Sequence, residues 1–91
     1  MHTLTGNIDS IAQQLRQFPL PVARAVFGVL QARYGGNSTR HLMVELHPAG
    51  RSFGLDLRHL GALSTGEPAF LFDSRWSIGP RGAVQRQHVG A

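Results

Sequence analysis

No cysteine occurs in the chain, so no disulfide staples the fold and no thiolate can act as nucleophile or metal ligand. Lysine is absent as well, and all nine basic residues are arginine. Acidic residues are few, five against those nine, which leaves a formal net charge of +4. No stretch approaches the roughly 18 apolar residues that a membrane-spanning helix needs. Residues 1–6 carry neither a basic start nor an apolar run, which predicts no secretory signal and sets the expectation of a cytoplasmic protein. The Gly-x-Ser-x-Gly pattern of serine nucleophiles and the glycine patterns that cradle phosphates are also missing. The sequence therefore implies no cofactor.

What is present is enough for one core. A chain of 91 residues, 42% of them hydrophobic, fits a single globular domain. The arginines offer planar donor forks suited to carboxylates and phosphates, although coding bias alone can replace lysine with arginine. They are also dispersed: residues 1–30 carry net +1, residues 31–60 net +2 and residues 61–91 net +1. No dense basic stripe results.

Two helices are predicted near the start. Asn7 is suited to cap the first, over about residues 8–17, where Ile8, Ile11, Leu15 and Phe18 recur on one face. Pro19 ends it, because the residue before a proline is pushed out of the helical region. The second spans about residues 21–34, with Pro21 in its first turn and Gly35-Gly36 able to end it through a left-handed residue. Val22, Ala23, Val26, Phe27, Val29 and Leu30 cover most of its circumference, so it is expected to be the most buried element, with Phe27 and Leu30 in the core. Its narrow polar stripe of Arg24, Gly28 and Gln31 argues against a DNA-recognition helix. So wide an apolar arc also raises the expectation of a homodimer that covers the excess.

Alternation then takes over. Leu42, Val44 and Leu46 alternate with His41, Met43, Glu45 and His47; Phe53, Leu55 and Leu57 alternate with Gly54, Asp56 and Arg58. A two-residue loop at Ala49-Gly50 would pair Leu46 with Phe53, Val44 with Leu55 and Leu42 with Leu57, placing all six apolar side chains on one face. A third strand is expected at about residues 69–77, with Phe70, Phe72, Trp76 and Ile78 in phase; a helix between residues 56 and 76 is the alternative. Residues 79–91, rich in glycine, arginine and glutamine, read as a flexible basic tail behind a compact domain of residues 1–78. The expected fold is α+β: an N-terminal helical hairpin packed on a small antiparallel sheet, in the order ααβββ.

Three function classes follow. The first is a small non-catalytic protein-binding or regulatory accessory protein, of the kind that phage and plasmids carry, with a protein partner. The second is a nucleic-acid-binding protein using Arg75, Arg81 and Arg86 of the C-terminal region, where Trp76 could stack on a base or sit in the core. The third is a small enzyme or metal-dependent protein. For it, His41, Glu45 and His47 on the outward face of the hairpin are the candidate metal ligands, with Asp56 diagonally near and His59 just beyond. These residues lack a tight metal-binding spacing, and an open sheet face offers no cavity to exclude water.

Overall fold

A strand precedes the first helix. The computed structural model describes residues 1–90: His2–Gly6 forms β1, Ile8–Gln14 α1 and Leu20–Tyr34 α2, and Leu42–Ala49, Ser52–Ala62, Pro68–Ile78 and Val84–Gln87 form β2 to β5. The class is α+β, with five antiparallel strands in sequential order. The expected order ααβββ is thus corrected at both ends. β1 carries one buried residue, Leu4, and is fixed by pairing with β2, where Leu4 lies opposite Val44. Gly6 turns the chain from β1 into α1 at a φ of +132°, a conformation that side chains rarely adopt.

The first helix starts as its cap dictates, whereas α2 starts behind Pro19 with no capping side chain. Asn7 Oδ1 accepts a hydrogen bond from the Ser10 N–H at 2.9 Å. α1 tightens into a 3₁₀ turn at Leu15–Gln17 before Pro19 breaks the chain. α2 ends differently from expectation: neither Gly35 nor Gly36 has a positive φ, and the Asn37 N–H bonds back to the Tyr34 carbonyl. Ile8, Ile11, Leu15, Phe18, Val22, Val26, Val29 and Leu30 are buried against Leu4, Leu42, Val44, Leu46, Leu55, Leu57 and Ile78. Phe27 is only partly buried, contrary to expectation, because it lies on the flank of α2 rather than on the face turned to the sheet.

The central hairpin forms, but two residues out of the expected register. Its loop is Gly50-Arg51, so Leu46 lies opposite Leu55, Val44 opposite Leu57 and Leu42 opposite His59. Gly50 has a φ of +64° and Arg51 a negative one, the pattern of a tight type II′ turn, whose twist matches the strands. A slip of two preserves which face each side chain takes.

β4 is a strand, not a helix, but its alternation breaks. Leu57 lies opposite Ser74 whereas Arg58 lies opposite Phe72, so Asp73 is an inserted, unmatched residue. Ser74, Trp76 and Ile78 therefore face the helices, while Phe70 and Phe72 turn to the other face. The expected common face of Phe70, Phe72, Trp76 and Ile78 does not form.

The flexible tail is corrected in part. After a turn closed by the Gly79 N–H on the Ala83 carbonyl, residues 84–87 pair with β4 as a fifth strand. Among the described residues no helix is long and apolar enough to cross a membrane.

Candidate functional site

The open face of the sheet gathers the charges. Pairing sets Glu45 opposite Asp56 and Asp56 opposite Arg75 on three adjacent strands. Asp56, only 7% exposed, accepts hydrogen bonds from Arg75 Nε at 2.6 Å and Nη2 at 3.1 Å. This contact and the charge of Asp56 raise the Arg75 guanidinium above its ordinary pKa. Arg58 pairs with Glu45, and His47 Nε2 stands 3.7 Å from Asp56. Phe72 lies between the two arginines, 5.7 Å from the Arg58 guanidinium and 5.8 Å from that of Arg75. These charges largely satisfy one another.

The three candidate metal ligands share this face without converging. His41 packs on Phe70 at 5.6 Å between ring centroids, Glu45 is held by Arg58, and His47 lies beside Asp56. At about 3.4 Å per residue, His41 and His47 stand roughly 20 Å apart along the strand direction. Among the described residues no three His, Asp or Glu side chains cluster as metal ligands would.

The three candidate nucleic-acid arginines are dispersed too. Arg75 is on the open face, bound to Asp56. Arg86 lies opposite Trp76 on the helix side, with its guanidinium 5.4 Å from the indole. Arg81 sits in the β4–β5 turn, in a recess shared with Leu20, Pro21 and Arg24.

A polar lock ties α2 to the bulge of β4. Arg33 donates to both Asp73 oxygens at 3.0 and 3.1 Å, the Ser74 hydroxyl donates to Asp73, and Trp76 Nε1 donates to Ser74. Burial works to raise the Asp73 pKa, but the hydrogen bonds from Arg33 and Ser74 outweigh it and hold the carboxyl below its ordinary 3.8. Next to this lock, Tyr34 Oη stands 2.9 Å from His59 Nδ1. Burial, reinforced by the negative charge of Asp73, pushes the Tyr34 phenol up to about 12. The cluster fastens a helix end to the sheet, and its Asp73 and Ser74 also line a polar recess of about 250 Å³ shared with Phe72, Arg75, Arg86 and His88.

Apolar surface stays open on both layers: a recess of about 490 Å³ at the sheet is lined by His47, Phe53, Asp56, Arg75 and Trp76, and two more lie along the helices. Between α1 and α2 runs a groove of about 410 Å³ lined by Ala12, Leu15, Phe18, Leu20, Ala23 and Phe27, with Arg16 and Arg24 at its sides. Leu20 is 59% exposed there. On the other flank of α2 a shallower apolar recess of about 340 Å³ lies between Ala25, Gly28 and Ala32 and the sheet residues Trp76 and Val84. Sequence reasoning expected surplus apolar surface on α2 but did not locate the first groove, because it placed Phe27 in the core. Its signal was the spacing of Leu20, Ala23 and Phe27, one stripe set apart from Val22, Val26 and Leu30. Comparison with known protein families, curated proteins and solved structures finds no match.

Proposed function

We propose that this protein is a small non-catalytic module that binds another protein through its helix layer, in a regulatory or accessory role. The observation that carries the reading is the groove between α1 and α2, whose floor of Leu20, Ala23 and Phe27 is apolar and uncovered. Apolar surface left open beside a filled core is what a docking partner removes from water. On the open sheet face, by contrast, Arg58 and Arg75 are already paired with Glu45 and Asp56. The test is capture of partners from the native host by wild type and by Leu20→Glu, a change at an exposed site that leaves the unfolding midpoint in place. Loss of a specific partner with Leu20→Glu supports the reading; an identical set of captured proteins contradicts it.

A nucleic-acid reading is favoured by one observation. Arg16, Arg24 and Arg81 make no ion pair among the described residues and leave positive charge exposed around the start of α2. A salt-sensitive gel shift of DNA or RNA, lost on reversing these charges, would support it over the first reading.

A further inference from the structure

We infer that the occupant of the α1–α2 groove is an acidic amphipathic helix of the partner protein. This rests on the protein-binding reading above and adds the chemistry of the partner. Leu20, Ala23 and Phe27 follow one another at i, i+3 and i+7, an apolar stripe roughly 10 Å long at 1.5 Å per residue. Ala12 faces it from α1, and the small side chains of Ala12 and Ala23 leave the trough open between the larger ones. Two helices with a trough between them receive a third as ridges enter grooves, through anchors at the same three- and four-residue spacing.

Charge selects among helices. Arg16 and Arg24 flank the trough, Arg81 continues the rim beyond Leu20, and no carboxylate lines either recess. None of these three arginines has a hydrogen-bond or ion-pair partner among the described residues, whereas Arg33, Arg58 and Arg75 each hold a carboxylate. A helix with glutamates beside its apolar stripe would complete the rim; one with lysines would meet like charge. A second copy of this chain in a two-fold arrangement would bring the same arginines against each other. A nucleic acid would match the rim but has no apolar face for Leu20 and Phe27.

The probes are three labelled synthetic peptides of about four to five helical turns. One carries leucines at i, i+3 and i+7 flanked by glutamates; the second replaces every glutamate with lysine; the third keeps the glutamates and replaces the leucines with serine. Fluorescence anisotropy with the full chain should show binding of the first peptide alone, weakened by added salt. Arg16→Glu with Arg24→Glu should weaken it at least about tenfold and transfer binding to the lysine peptide. Both arginines are exposed, so these variants should keep the wild-type unfolding midpoint. Equal binding of the glutamate and lysine peptides would overturn the acidic partner yet leave a helix-binding groove standing. Binding of the serine peptide would overturn the amphipathic helix. Binding of none, with Leu20→Glu still losing a host partner, would overturn the helical occupant while the binding module survives. Self-association abolished by Leu20→Glu would assign the groove to a second copy instead.

Discussion

Asp73, the inserted residue of the β4 bulge, receives both donors of the Arg33 fork near the end of α2. The pair spans 40 positions of sequence and joins the helix layer to the strand where its alternation changes phase. Because the folded Asp73 carboxyl sits below its ordinary value, its contribution to stability is present above about pH 4. That contribution should fade as the pH falls through the folded value. Asp73→Asn should cost about 1 kcal/mol near neutral pH and flatten this acid limb. Urea midpoints measured from neutral to acid pH check both; parallel curves for wild type and variant would show that the pair carries no linkage.

Tyr34 is the only tyrosine, so its ionisation can be followed without ambiguity by phenolate absorbance. A phenol raised to about 12 in the folded state favours folding below its ordinary value of 10. Stability should therefore decline as the pH rises from about 10 toward 12, and Tyr34→Phe should remove that decline. Titration of the native protein at the ordinary value would show that the ring is hydrated.

Leu30 and Phe27 lie three residues apart on α2 but in different surroundings. Leu30 is fully buried, so Leu30→Ala should cost about 2–5 kcal/mol. Phe27 borders the open groove, and Phe27→Ala should cost no more than about 2 kcal/mol. Denaturant midpoints give the order; a larger loss at Phe27 would place that ring in the core and close the groove.

Arg75 holds a nearly buried carboxylate. Arg75→Ala leaves Asp56 with His47 at 3.7 Å and Arg58 at 4.0 Å as the nearest basic groups, and should lower the denaturation midpoint. An unchanged denaturation midpoint would mean that water replaces the guanidinium at no cost.

Much of this architecture is legible in the residues, and the failures have physical causes. Ile8, Ile11, Leu15 and Phe18 announce a helix by spacing, and Leu42, Val44 and Leu46 a half-buried strand by alternation. β1 escapes because a single inward side chain, Leu4, makes no pattern. β5 escapes because all four of its residues are exposed, and backbone pairing to β4 rather than burial holds it. The bulge hides itself: Phe70 and Phe72 read in phase with Trp76 until an inserted residue between them reverses the face. The charged face was legible as a face, since Glu45, His47, Asp56 and Arg58 alternate with the core residues. That its charges would neutralise one another depended on register. The surplus apolar surface of α2 was legible but its place was not, since periodicity shows that side chains are apolar but not which of them the sheet can reach.

The measurement that bears most directly on the helix-layer binding surface is backbone amide mapping by NMR during titration with the glutamate–leucine peptide. Shifts confined to Ala12, Arg16, Leu20, Ala23, Arg24 and Phe27, with Glu45, Asp56 and Phe72 unmoved, are the expected result. Shifts across the open sheet face with the helix layer silent would contradict it.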